Sequence, residues 1–446
     1  MLVVFFNELT FTESMLVAGL AFLFCVELYK GISSRNWFNV FRPTIFLAGF
    51  LTFYCIAGPL RALASEDGAL YRGLDHRSFL IWGWIGALVF YTSFLFGFYT
   101  FPSKIRLAAN NFTKIKQLHF WGLRLCQIGF ISYSLVVGVF FILTLINPIF
   151  DELQRITGDA GRIINFGVFN NYFAYAVNLL IPGNCLMLMA LFRGSKKTLT
   201  TIGWFVITLG LYTSLGFRYR LVLLIVPAII VWFMSKKKRP SLIFMSIFLS
   251  GFLLLNGLIG MARLYSEGIS LSRLESQRQQ YSYLDSAFIE SSVFLTTSAV
   301  IEQTPIITPH IGFEPIINAL LFPIPRQIAS FKPDGKYQDN AVKNVYGVIP
   351  GSGAAFLCFG EYFLMAGWPS VILISFLMGC LLKKVWSWFI SHHNDPFAQC
   401  LYALIASFLY IWLSRGYMAQ FVLLFCFSVA PLFIFYGSWR KAIRSN

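Results

Sequence analysis

Charge is scarce in this 446-residue sequence, and negative charge scarcer still: 12% of residues are Asp, Glu, Lys or Arg, and only nineteen are acidic. A water-soluble domain carries about 25% charged residues, so this composition excludes an ordinary soluble fold. Eight cysteines occur, but none forms a C-x-x-C pair or a Cys/His cluster, which excludes a disulfide framework and a zinc signature. Seven of the eight lie inside apolar stretches and read as small packing residues. The two early polar loops, 61–77 and 151–162, hold neither a Gly-rich phosphate cradle nor an Asp-x-Asp pair. No internal repeat is visible, which disfavours transporter folds built from inverted repeats. The N-terminus lacks a basic n-region and a small-residue cleavage site, so no removable signal peptide is expected.

Apolar residues make up what remains: 57% of the chain is hydrophobic and the mean hydropathy is +0.68. A membrane-crossing helix needs about 17–25 such residues. Eleven candidate spans follow, near 13–30, 43–60, 78–100, 121–147, 166–192, 199–215, 221–234, 242–262, 368–382, 398–413 and 419–437. Backbone groups in lipid must be satisfied within the segment, so these spans are expected to be helices. The expected fold is an all-α polytopic membrane protein. Residues 1–262 supply eight spans, 263–367 one large loop, and 368–446 three spans and a basic tail.

The net charge of +16 resembles a nucleic-acid signal in size but not in distribution. Basic residues cluster in alternate connections: Lys30, Arg35 and Arg42; Lys104, Arg106, Lys114 and Lys116; Arg193, Lys196 and Lys197; Lys236 to Arg239; Lys383 and Lys384; Arg440, Lys441 and Arg444. Asp395 is the only acid among them. This is the positive-inside pattern. It predicts the N-terminus outside, the C-terminus in the cytoplasm and the large loop outside. No nucleic-acid partner is expected.

Three features stand out on the predicted outer side. Gly216-Phe217-Arg218-Tyr219-Arg220 is a very short connection with two arginines and no acid within twenty residues. It reads as an anion site, with interfacial snorkelling as the alternative. The connection Ser414-Arg415-Gly416-Tyr417 repeats the situation. In the large loop, which carries nine of the nineteen acids, Phe313, Ile316, Ile317, Leu320, Leu321 and Ile324 share one helical face. Pro315 suits the first turn of that helix, and Pro323 and Pro325 end it. Such a helix lies in the interface or packs on the bundle, and delivers Arg326 and Lys332 beyond its end. Leu284 to Ile301 is a second amphipathic candidate, whereas Asp334 to Asn344 has no periodicity and reads as a flap.

The Phe217-Arg218-Tyr219-Arg220 turn, the Pro325-Arg326 … Lys332-Pro333 run, and Gly360-Glu361-Tyr362-Phe363-Leu364 followed by Gly367 together resemble the O-antigen polymerases (Wzy). These belong to the bacterial oligosaccharide repeat-unit polymerases. The resemblance covers most of the chain in topology and only these short motifs in sequence. It implies a metal-independent, inverting glycosyltransferase of GT-C type without cofactor, in the bacterial cytoplasmic (inner) membrane with the large loop periplasmic. Its implied partners are undecaprenyl-diphosphate-linked oligosaccharides, membrane lipids and a chain-length regulator protein.

The residues support such chemistry independently. A diphosphate leaving group gains negative charge as its bond breaks, and a metal or fixed cations must neutralise it. Arg218, Arg220, Arg326, Lys332 and Arg415 are the candidates, and the guanidinium fork suits phosphate. For a general base the first candidate is Glu361, an acid in an apolar segment where burial raises a pKa. An arginine-paired boundary acid is the plain alternative for it, and His310 and Glu314 follow as bases. Competing functions are an O-antigen ligase, another lipid-dependent GT-C enzyme that uses Glu66-Asp67 with a metal, and a lipid or oligosaccharide transporter. Span centres nearly free of ionisable residues disfavour ion-coupled transport.

Overall fold

The structure, a computed structural model, describes residues 9–65, 68–103, 114–137, 167–214, 218–264, 268–269, 283–325, 328–347 and 355–435. Among these, seven helices are long and apolar enough to cross a membrane. They are α1 (Phe11–Ser33), α2 (Pro43–Leu63), α3 (Leu80–Thr100), α5 (Asn170–Phe192), α7 (Tyr219–Lys236, preceded in the same helix by Arg218), α14 (Trp368–His392) and α15 (Pro396–Arg415). Two further long helices, α4 (Ile115–Val137) and α8 (Leu242–Ala262), occupy two other expected spans. The remaining two expected spans, 199–215 and 419–437, contain shorter apolar helices, α6 (Thr198–Ser214) and α16 (Met418–Ser428). The chain is therefore an all-α polytopic membrane protein.

The large loop is far from featureless. It holds α9 (Tyr283–Phe288), α10 (Val293–Gln303), α11 (Glu314–Leu321), α12 (Tyr337–Tyr346) and α13 (Cys358–Ala366). Strands are confined to two two-stranded hairpins, 70–75 and 263–269, among the described residues.

Two compact units emerge, each assembled from separate stretches of chain. The first comprises Met1–Arg106, Glu290–Ser391 and Leu409–Leu423, the second Leu107–Ile289, His392–Phe408 and Leu424–Asn446. Each is pinned by glycines where two helix backbones meet. In the first unit a Cβ on Gly97 would lie 2.1 Å from the Phe376 carbonyl, and one on Gly379 would lie 2.2 Å from that of Phe94. In the second, Gly122 and Gly183 face each other's carbonyls at 2.7 and 2.8 Å in the same sense. Small residues permit this approach, which replaces the hydrophobic drive that lipid removes.

Several loop expectations are corrected. The stretch 284–301 is not one amphipathic helix: a 3₁₀ turn at Ile289–Ser292 splits it. In α10 every residue from Val293 to Ile301 is buried. Its polar members tolerate this because Thr297, Ser298 and Thr304 donate to the carbonyls four residues back, at 2.7, 2.9 and 2.7 Å. The stretch 334–344 is not a flap. Gly335 and Gly347, at φ +68° and +75°, bracket α12. Its Ala341 and Val342 join Val300, Phe356 and Leu364 in a core cluster. Helix α11 begins with Pro315 in its first turn as predicted, but ends at Leu321. It also buries the opposite face: Pro315, Asn318 and Ala319 point inward, while Phe313, Ile317 and Leu320 are exposed. In a membrane protein an exposed apolar face fits the interfacial placement rather than packing on the bundle.

Candidate functional site

Glu361 is the centre of the strongest site, and the local sequence explains its position. Helix α13 rests on α10 through Gly360, where a Cβ would touch the Thr297 methyl at 3.0 Å. The Thr297 hydroxyl also accepts a 2.8 Å hydrogen bond from the Leu357 amide at the start of α13. With Gly360 flush against α10, the neighbouring Glu361 carboxyl sits under α12 and the α15–α16 connector. Oε1 accepts hydrogen bonds from the Tyr337 hydroxyl and, at 3.0 Å, from the Met418 amide.

Both elements above Glu361 are tightly fixed. Gln338, next to Tyr337, donates to the Arg415 carbonyl at 2.8 Å. Gly416 adopts φ +45°, and a Cβ there would lie 2.3 Å from the Phe356 carbonyl. The connector can lie this close only because Gly416 has no side chain. Tyr417 completes an aromatic wall, its ring 5.6 Å from that of Tyr337 and 6.2 Å from that of Phe322.

Glu361 is 1% exposed. Burial pushes its pKa up to about 7, and the bonds from Tyr337 and Met418 offset only part of that cost. No cation acts on it among the described residues, so none of the described arginines pairs with it. Burial and the Glu361 and Glu314 carboxylates push Tyr337 well above an ordinary phenol, so it stays a donor.

The other predicted residues fall at different distances from this centre. Arg415 ends α15, with its guanidinium 3.9 Å from the Glu290 carboxylate. Glu314 opens α11, half-buried, where the helix dipole favours an acid. Lys332 donates to the Phe322 carbonyl at 3.1 Å and sits 4.6 Å from the Phe322 ring centroid. It thus caps the end of α11, and only part of its three-donor ammonium is left to meet an anion. His310 is exposed at the C-terminal end of α13, its Nδ1 3.4 Å from the Leu364 carbonyl, and no contact joins it to the Glu361 carboxylate. Arg326 lies outside the described residues, as does the Glu66-Asp67 pair.

Arg218 and Arg220 belong to the second unit. They were expected in a turn, but α7 already begins at Arg218, so they form its first helical turn. Arg220 is buried against the Tyr219 ring at 5.6 Å and lies within electrostatic range of the Tyr133 and Tyr212 hydroxyls. No protein family, curated protein or solved structure matches the chain.

Sequence reasoning missed Tyr337, Tyr417 and Asn318. Asn318 is 1% exposed, and its Nδ2 has no hydrogen-bond partner among the described residues. It faces Gly335, where a Cβ would lie 2.6 Å from that nitrogen and 3.1 Å from the Tyr417 hydroxyl. Spacing alone could have flagged Tyr337, since it shares a helical face with Ala341 and Val345. His76 was also missed. It is fully buried, 2.8 Å from the Leu74 carbonyl and 2.7 Å from the Tyr346 hydroxyl. Burial lowers its pKa, so a neutral ring donates to Leu74, accepts from Tyr346 and ties the 70–75 hairpin to α12. Among the described residues no cluster of three or more His, Cys, Asp or Glu could hold a metal.

Proposed function

We propose that the chain is a polysaccharide polymerase that moves a growing glycan from undecaprenyl diphosphate to a lipid-linked repeat unit. It would act on the outer face of the bacterial cytoplasmic membrane, with its N-terminus and large loop outside and its C-terminus inside. One observation carries the reading: Glu361 is buried with hydrogen-bond donors and, among the described residues, no cation, and its pKa of about 7 suits general base catalysis near neutral pH.

The Glu361 carboxylate takes the proton of the acceptor sugar hydroxyl. That oxygen attacks the anomeric carbon from the face opposite the diphosphate, and the configuration inverts. The bond to the phosphate oxygen breaks, and its electron pair leaves with the diphosphate. A sugar hydroxyl that displaces Tyr337 from Glu361 exchanges one O–H donor for another at the carboxylate, and the Tyr337 hydroxyl must then take a new acceptor such as the sugar itself. The unpartnered Asn318 amide offers a donor to the same sugar. Arg326 and Arg415 are assigned to the diphosphate beside Glu361, and Lys332 plays a lesser part. Arg218 and Arg220, in the second unit, are a separate candidate anion site at the positive end of α7. Fixed cations take the place of a divalent metal, so activity should persist in excess EDTA.

Purified protein incubated with one synthetic lipid-diphosphate repeat unit tests the reading. A ladder of products is expected. A single transfer would make the protein ligase-like, and no reaction would remove the enzymatic reading.

A further inference from the structure

A second charge imbalance lies in the first unit, at the end of its helices predicted to face the cytoplasm. Arg42 precedes Pro43 at the start of α2 and makes no side-chain capping bond. Its Nε and Nη2 atoms are buried without a hydrogen-bond partner among the described residues. A buried guanidinium nitrogen left unpaired is costly. Beside it stands Lys383 of α14, half-buried, with its ammonium 5.2 Å from the Phe98 ring centroid. The two cations are within electrostatic range of one another.

The acid of α1 toward this end, Glu27, is already engaged. It accepts from Lys30 at 3.0 Å and from the Tyr99 hydroxyl at 2.7 and 2.8 Å. Sequence excludes another carboxylate from the strands of chain that build this end. No Asp or Glu occurs between Glu27 and Glu66, between Asp75 and Asp151, or between Glu361 and Asp395. The level also fits a headgroup region. Trp37, Phe38 and Phe41 form an aromatic group, and the Phe38 ring lies 6.1 Å from that of Trp386. Aromatic side chains of this kind gather where hydrocarbon meets water.

We infer that Arg42 and Lys383 form a binding site for a phosphate group, supplied by an anionic lipid headgroup or by free phosphate. A phosphate accepts several hydrogen bonds at once and answers both unpaired guanidinium nitrogens and the neighbouring ammonium. Basic pockets between helices on the cytoplasmic side are suited to such headgroups. The site is independent of the Glu361 reading and stands whether or not the protein polymerises sugars.

The full-length protein, purified in neutral detergent, provides the test. Native mass spectrometry with added phosphatidylglycerol or phosphatidylcholine reads the lipid arm, and thermal shift with inorganic phosphate reads the other. Selective retention of phosphatidylglycerol is expected if a headgroup is the source. Saturable stabilisation by phosphate alone is expected if a free anion is. In either arm Arg42→Gln and Lys383→Gln should each weaken binding at least tenfold, whereas Arg35→Gln, at an exposed position, should not. Lys383→Gln decides the matter if Arg42→Gln does not fold. Equal losses from all three variants, or no binding of either probe to the wild type, would overturn the site.

Discussion

The carboxyl of Glu361 and two guanidinium nitrogens of Arg42 are buried in one unit, and neither group is paired with an opposite charge among the described residues, yet they differ in what each can do about it. Glu361 has donors around it and, among the described residues, no cation, so burial is relieved by a proton and its pKa rises to about 7. Arg42 cannot discard its proton at any ordinary pH, so only an incoming anion relieves it. An unbalanced acid makes a proton-transfer site, while an unbalanced guanidinium makes a binding site. The same physical strain yields two chemistries because the two groups have different exits.

The sharpest way to break this contrast is Glu361→Gln. The amide oxygen still accepts from Tyr337 and Met418, so the fold should hold while turnover of lipid-linked repeat units falls by about 10²–10⁴. Thermal unfolding checks the first half and product ladders the second. Normal polymer formation by this variant would exclude Glu361 as the base. Glu361→Leu is the complement. It strands the Tyr337 hydroxyl and the Met418 amide, and should lower stability by about 1–3 kcal/mol.

Arg→Lys substitutions sharpen the cationic side. At Arg326 and Arg415 each should cost about tenfold in turnover, or ~1.4 kcal/mol of transition-state stabilisation, since an ammonium lacks the parallel donors of the fork. Full activity at matched expression would make these arginines topological anchors. Lys336→Ala, at an exposed position before α12, should be close to silent.

Acidity provides the next test. Activity should rise with pH through about 7 as Glu361 ionises. Its folded pKa lies above the unfolded value, so its favourable contribution to stability is complete below about 4.5 and is lost as pH rises through about 7. Melting temperature followed from pH 5 to 9 should therefore decline less in Glu361→Gln than in the wild type. Tyr337→Phe removes a bond that lowers the Glu361 pKa, so the activity profile should move to higher pH. An unmoved profile would mean that another group sets it.

The sequence made the membrane helices legible because length and apolarity alone define them, and seven of the eleven expected spans coincide with long apolar helices. It also singled out Glu361 and Arg415, since an acid among aromatics and an arginine between two spans are conspicuous. The loop was read less well for specific reasons. In α10, threonines and serines look polar in one dimension, but their hydroxyls turn back onto the helix carbonyls, so the whole face can be buried. In α12, Gln338, Asp339, Asn340, Lys343 and Asn344 outweigh the few apolar residues in any average, although those few carry the packing. In α11 the apolar stripe was visible, but a stripe does not state whether it faces protein or lipid. Asn318, on the buried side, gave no signal beyond being polar within an otherwise apolar helix.

The burial of α10 from Val293 to Ile301 has a further consequence for chemistry at Glu361. Its buried run, Val293 to Ile301, and the buried run of α13 place these two loop helices in the protein interior. A transferase working on an activated sugar competes with water, which is everywhere and would hydrolyse the donor without extending the chain. If Glu361 is the base, its burial beneath Tyr337 and the α15–α16 connector means that bulk water reaches it only if α12 were to shift. A sugar that shifts it brings its own hydroxyl to the carboxylate and fills the space it opens. Burial of these helices would then decide between synthesis and hydrolysis, favouring extension of the polymer over its release.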